Sequence, residues 1–441
     1  MTVTTQYGEV RGISTDTCDI YLGIPYAAPP VGDLMFRHPV PPKPWTGVLD
    51  ATKGSANPIQ AKGEFHIDHN SLDCLYLNIF VPKGPKGPLP VMVWLYGGAF
   101  SQGGAGAKAP GSSEVHYNLS RFAAETGCVA VTLNYRLNVY GFLNLHALDD
   151  RFDMNNGLFD QIAALRFVRE NIAAFGGDAS NITLFGQSAG GASVLALMTM
   201  PAAEGLFDKV IAQSPCVDHI FSPEESVDFT KRYLKEAGVS APADLMNLPE
   251  ERITGANAKY QSSFLLKGDV RCAFSPIIDG KTLPAAPKNA VRHCRMPMMT
   301  GTTTEEINLF IRHFPGFVLP IGAALFDLKV EKGKERYRKR FSRAMTNRVF
   351  ETPLNEMLTG YEGPLWRYQY CYVVPGHKLG CHHCAELPVL FGLNDLFDGA
   401  DDPRSELVGK AMRRIWGQFA KSTAPGWDAY GQSEYIFRIN G

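Results

Sequence analysis

The chain has 441 residues, 45% of them hydrophobic, enough for a large buried core. Large α/β sheets often run this long as one unit, so residues 1–441 read as a single domain. With a formal net charge of −1 and 20% charged residues, no global basic field exists to draw nucleic acid or an anionic membrane.

The opening MTVTTQYGEVRG carries neither a basic n-region nor an apolar core, so no secretory leader is expected. One charge-free stretch, Ala179 to Ala203, is interrupted by Asn181, Thr183, Gln187, Ser188 and Gly190-Gly191, a strand, turn and helix rather than a membrane span. Nine cysteines without a leader point to reduced thiols and a cytoplasmic setting, and make the Asn118-Leu-Ser and Asn181-Ile-Thr glycosylation patterns chance matches.

From Tyr7 to about Ala51 the chain reads as short strands and Pro-rich turns. The apolar runs VMVWLY (91–96) and VAVTLNYR (129–136), bounded by turn signals, read as strands covered on both faces. Leu158, Ile162, Leu165, Val168, Ile172 and Phe175 recur at helical spacing, predicting a helix over Gly157 to Phe175 closed by Gly176-Gly177. NITLFGQS is a strand and AGGASVLALMTM opens as a helix. Residues 209–214, 296–302 and 365–373 are further strands. Ser405 to Lys421 is an amphipathic helix through Leu407, Val408, Met412, Ile415, Trp416 and Phe419. Strands alternating with helices predict a mostly parallel sheet wrapped by helices. Lys329 to Arg343 holds eight Lys/Arg and two Glu, read as a solvated helix face rather than a nucleic-acid or membrane patch.

Chemistry concentrates in LFGQSAGG (184–191). Gly186-Gln187-Ser188-Ala189-Gly190 is a G-x-S-x-G pattern between a strand and a helix. In that context it marks a sharp turn that exposes the Ser188 hydroxyl at a helix N-terminus. A serine hydroxyl needs a base, an orienting acid and an oxyanion site to act as a nucleophile. Gly97-Gly98-Ala99, in the loop after a buried strand, leave backbone N–H groups free for a developing oxyanion. Cys381-His382-His383-Cys384 raises a metal or redox reading. Adjacent ligands cannot easily surround one tetrahedral zinc, and no second C-x-x-C pair completes the set. No metal and no cofactor are expected, and His66 and His69 read as loop residues.

A series of motifs in order resembles the type-B carboxylesterases, the carboxylesterase/cholinesterase group of the α/β-hydrolase superfamily. They are YLGIPYAAPPVG, DCLYLNIFVP, VWLYGGAF, VTLNYRLNVYGFL, NNGLFDQIAALRFVRENIAAFGGDASNITLFGQSAGG, GLFDKVIAQS, GTTTEEINLF and HCAELPVLFG. The resemblance covers nearly the whole chain, to about Trp427. It implies an α/β-hydrolase fold, a central mostly parallel twisted sheet flanked by helices, with lid or pocket helices inserted. It also implies a serine esterase acting on short- to medium-chain esters. The nucleophile falls on Ser188. The acid falls on Glu306, within Gly301-Thr-Thr-Thr-Glu305-Glu306-Ile307, and the histidine on His383, three residues before Glu386-Leu387-Pro388. The oxyanion donors are the N–H groups of Gly98, Ala99 and Ala189. His382 rivals the base and Glu305 the acid. Catalytically inactive interaction proteins of the same family, and lipase-, amide- or carbamate-cleaving members, are the alternative readings. The partner expected is a small-molecule ester, with neither nucleic acid nor membrane; monomer and homo-oligomer are equally compatible with the sequence.

The chain also departs from the pattern. Residues 52–73 lack the cysteine that would pair Cys74 and the tryptophan that would hold a quaternary ammonium, which argues against choline esters. Met35 and Leu72 stand where the family has an ion pair, whereas Arg136 and Asp160 match its second such pair. Ile307 replaces a glycine after the acid, a strain if that position has positive φ. The segment between Ser214 and Phe274 is short, and a shortened lid or acyl-pocket region predicts a more open site.

Overall fold

The computed structural model describes all residues except 63–66, 267–268, 270, 313–318, 326–336, 394–401, 431–434 and 441. Part of the basic stretch 329–343, and His66, therefore lie outside the described residues. From Tyr337 onward the basic stretch is helical.

One large sheet organises the molecule. Its strands are β1 (Ile13–Ser14), β2 (Cys18–Pro25), β3 (Tyr76–Pro82), β4 (Leu89–Leu95), β5 (Val129–Leu133), β6 (Gly177–Gln187), β7 (Lys209–Gln213), β8 (Met298–Thr303), β9 (Leu365–Tyr370) and β10 (Ile436–Ile439). Their order across the sheet is β10-β9-β8-β7-β6-β4-β5-β3-β2-β1. From β10 to β5 every neighbour is parallel. From β5 through β3 and β2 to β1 the pairing is antiparallel. The parallel strands β4 and β5 are buried at nearly every position, as helices on both faces require of Val/Ile/Leu-rich runs. A smaller sheet joins Thr2–Thr5, Gly8–Arg11 and Val48–Asp50.

The helices that matter for the site are α1 (Asn156–Asn171), α2 (Ala189–Leu197), α3 (Pro223–Ala237), α4 (Glu250–Leu266), α5 (Glu386–Phe391) and α6 (Pro403–Ser422). The helix expected over 157–175 ends at Asn171 and tightens into a 3-10 turn to Phe175, closed by Gly176 at φ 80°. The strand expected over 129–136 stops at Leu133. There the Asn134 side chain takes over backbone pairing, donating to the Ala56 carbonyl and accepting from the Ala105 amide. The Ser214–Phe274 segment folds α3 against α4 through Phe221, Phe229, Tyr233, Tyr260, Phe264 and Phe274.

Strand order reverses about β4: β5 lies on one side and β6 on the other. In open α/β sheets the crevice beyond the carboxyl ends at such a point is where ligands bind. The chain leaves β4 into Tyr96–Ala99 and leaves β6 into Ser188, so both motifs converge there.

Candidate active site

Ser188 sits at φ 59°, ψ −122°, outside the regions a serine ordinarily adopts. Two features hold it there. Its N–H donates to the Gln213 carbonyl at 2.9 Å. The glycines on either side allow β6, α2 and β4 to meet: a Cβ at Gly186 would stand 2.6 Å from the Gly190 carbonyl and 2.8 Å from that of Leu95. Strain of this kind persists only where the surroundings over-determine it, and it clusters at functional sites.

The β4 loop is equally constrained. Gly98, Ala99 and Phe100 have φ of 108°, 56° and 56°. The Gly98 carbonyl accepts from the amides of Ser101 and Gln102 at 3.0 and 3.1 Å. None of the described hydrogen bonds uses the N–H groups of Gly98, Ala99 or Ala189.

Glu306 follows β8 and is fully buried. Its Oε1 accepts from the Ser214 hydroxyl at 2.6 Å and from the Thr303 amide at 2.7 Å, and its Oε2 lies 2.5 Å from Nδ1 of His383. A carboxylate so placed accepts the Nδ1 proton and leaves Nε2 as the lone-pair nitrogen. Burial disfavours the His383 imidazolium, but Cys384 and Glu306 outweigh it, so the pKa stands well above 6.5. Ile307 has φ −71°, within the right-handed region, so the isoleucine is accommodated without backbone strain.

The rivals are placed elsewhere. His382 Nδ1 donates to the His383 carbonyl at 2.6 Å, and burial brings its pKa down to about 4. Glu305 Oε2 accepts from the Cys381 amide at 3.1 Å rather than from His383. Among the described residues no group of three His, Cys, Asp or Glu side chains is arranged to hold a metal ion.

Three neighbours of the site were not legible as such in the sequence. Ser214 holds the Glu306 carboxylate. Gln187 places its side-chain nitrogen 3.2 Å from His383 Nε2, and its oxygen accepts from the Cys384 thiol at 3.2 Å. Cys216 Sγ lies 3.8 Å from Ser188 Oγ, and burial pushes its thiol up to about 11, so it stays protonated at neutral pH. No described hydrogen bond joins Ser188 Oγ to His383; the hydroxyl is turned toward Cys216 and the His383 ring toward Gln187.

Comparison with known proteins places the chain in a family. The model of the carboxylesterase family matches residues 1–319. The para-nitrobenzyl esterase of Bacillus subtilis is 34% identical over 98% of this chain and 92% of its own. The juvenile hormone esterase of Tribolium castaneum is 30% identical over 95% and 83%. Among solved structures, a PNB esterase superposes with a TM-score of 0.86 at 32% identity, covering 100% of this chain and 96% of its own. A carboxylesterase of Geobacillus stearothermophilus gives 0.84 at 31%, covering 99% and 96%.

Proposed function

Because the chain belongs to the carboxylesterase family, we propose that it hydrolyses short- to medium-chain carboxylic esters through an acyl-enzyme on Ser188, with His383 as base and Glu306 as its orienting acid. The observation that carries this reading is the 2.5 Å Glu306–His383 contact beside the strained Ser188 turn.

In the proposed cycle Ser188 Oγ rotates from Cys216 toward His383, and the Gln187 amide gives up Nε2. Oγ attacks the ester carbonyl while Nε2 takes its proton. The N–H groups of Gly98, Ala99 and Ala189 receive the oxyanion; one such donor is typically worth about 3 kcal/mol of barrier. Glu306, held by Ser214 and Thr303, stabilises the imidazolium. His383 then protonates the departing alcohol. Water enters by the same route in reverse roles and releases the acid. The chemistry needs no cofactor.

We take residues 1–441 as one hydrolase domain, a reading supported by the continuous buried cluster that runs from Val10 to Ile439. Its partner is then a small ester rather than nucleic acid or a membrane. No helix among the described residues is long and apolar enough to cross a membrane, and all nine cysteines are unpaired, which supports a reducing, cytoplasmic setting.

The test is initial rates on p-nitrophenyl esters of increasing acyl length, beside Ser188→Ala. Turnover of acetate or butyrate esters that vanishes in the variant is the expected result. Equal inertness of two folded proteins would overturn the reading.

A further inference from the structure

The basic stretch noted in the sequence lines a cleft that the proposed cycle does not use. On the helix Tyr337–Thr346, Lys339, Ser342 and Arg343 stand three and four residues apart and so share one face. The helix passes into a wider, π-helical turn, Asn347–Glu351, a feature frequent at functional sites. Together with Asn347, with Thr304 and Glu305 after β8, and with Gln369 near the end of β9, these side chains line a cleft of about 330 Å³. It lies at the carboxyl ends of parallel strands, the edge where α/β sheets bind ligands. None of its lining residues is Ser188, Glu306, His383 or a proposed oxyanion donor.

Two side chains of the lining are left prepared for a ligand. Ser342 is 4% exposed, and its Oγ is buried without a partner among the described residues. A buried hydroxyl left unpaired costs free energy that a matching group would restore. Glu305 is fixed from behind: its N–H donates to the Cys381 carbonyl at 2.9 Å, and its Oε2 accepts from the Cys381 amide at 3.1 Å. None of the described hydrogen bonds uses Oε1, so an acceptor stands already ordered. The side-chain nitrogens of Gln369 and Asn347 are likewise unused by the described hydrogen bonds.

We propose that this cleft binds a small polyhydroxylated monocarboxylate, a sugar acid in size and chemistry. Charge selects the carboxylate. Lys339 and Arg343 supply two positive charges and Glu305 one negative, so the lining is one charge positive and a monoanion balances it. A phosphate dianion would overshoot. Hydrogen bonding selects the hydroxyls, which meet Glu305 Oε1, Ser342 Oγ and the two amides. Most ligand pockets are predominantly apolar. This lining holds no hydrocarbon side chain, so a bare fatty acid gains little from it.

The experiment is isothermal titration calorimetry of the full chain with D-gluconate, beside D-glucose, butyrate and inorganic phosphate at equal ionic strength. Gluconate is expected to bind at one site per chain with a Kd of about 1 mM, ordinary for a ligand of its size. Glucose lacks the charge and butyrate the hydroxyls, so each should bind about tenfold more weakly. Arg343 is exposed and Ser342→Ala favours the helix, so both variants should fold, which their urea midpoints check. Arg343→Gln should weaken gluconate about tenfold and Ser342→Ala about fivefold. Absence of saturable gluconate binding overturns the inference. So does butyrate or phosphate binding as tightly as gluconate, which marks a site for charge alone. An affinity that both variants leave unchanged places the ligand elsewhere and overturns it too. No arm measures ester turnover, so the inference and the esterase reading fail separately.

Discussion

The side-chain nitrogen of Gln187 lies 3.2 Å from Nε2 of His383, so the residue before Ser188 caps the nitrogen that accepts the Ser188 proton in the proposed cycle. The Glu306 contact places the imidazole proton on Nδ1, so the Gln187 amide is the donor, and the Cys384 thiol satisfies its oxygen. The described state is a resting one, and reaching the reactive geometry breaks one hydrogen bond. Gln187 is buried, so the informative substitution keeps its shape. Gln187→Met should raise the second-order rate of Ser188 inactivation by a phosphonate about fivefold, the worth of one typical net hydrogen bond. An unchanged or slower rate would show that the cap costs nothing on the way to reaction.

The raised pKa of His383 fixes the sign of the pH profile. In the proposed cycle only the neutral imidazole accepts the Ser188 proton, so activity should fall as pH drops through the pKa. The acid limb of kcat/KM is therefore expected above pH 6.5. Glu306→Gln removes the carboxylate charge that raises it and disturbs the tautomer. The limb should move down, and kcat should fall by roughly 10³ to 10⁴. A wild-type limb at or below 6.5 would mean that burial outweighs Cys384 and Glu306.

The parts of this site written in local sequence were legible, and the parts made by chain crossings were not. Gly186 and Gly190 are dictated by close backbone approach, so the Ser188 turn could be read from five residues. Leu158, Ile162, Leu165 and Val168 repeat at helical spacing, and α1 buries each of them. β3 was hidden because Asn78 breaks its apolar run, and its side chain bonds the Gly23 amide and the Ala105 carbonyl of other segments. His383 and His382 cannot be told apart locally. The family resemblance through Glu386-Leu387-Pro388 points to the former, and Glu306 Oε2 lies 2.5 Å from His383 Nδ1. Ser214 meets Glu306 across 92 positions and Gln187 meets His383 across 196, distances over which local patterning carries no signal.

Glu386 makes a stability prediction. It is buried on α5 with Oε1 accepting from Gln213 at 3.3 Å and Oε2 unpaired among the described residues. Burial, with Glu306 nearby, pushes its pKa up from 4.5 to about 7. Stability tied to the protonated carboxyl is thus fully present below pH 4.5 and lost as pH rises through 7. A displacement of this size corresponds to about 3 kcal/mol. Glu386→Gln keeps the contact without the charge, so it should gain about that much on the wild type between pH 5 and pH 8 in urea unfolding. An offset between the two proteins that is the same at both pH values would contradict this.

Arg136 and Asp160 make the clearest prediction about what holds the oxyanion loop in place. The guanidinium grips the carboxylate at 2.7 and 2.8 Å, the Arg136 amide adds a third bond at 2.9 Å, and both side chains are essentially unexposed. Two residues on, the Asn138 amide donates at 2.7 Å to the carbonyl of Phe100, next to Ala99. The ion pair therefore fixes the segment on which the oxyanion loop rests. Arg136→Met leaves a buried carboxylate without its partner and should cost about 3–5 kcal/mol, whereas adding Asp160→Leu removes the stranded charge and should recover much of that. Chemical denaturation of the two variants reads this directly. A single variant as stable as the wild type, or a double variant no better than the single, would show that the pair does not carry the load. Recovery of stability without recovery of kcat is expected, because Asp160 Oδ2 also accepts the Arg136 amide and the apolar pair cannot restore that bond to the segment beneath the loop.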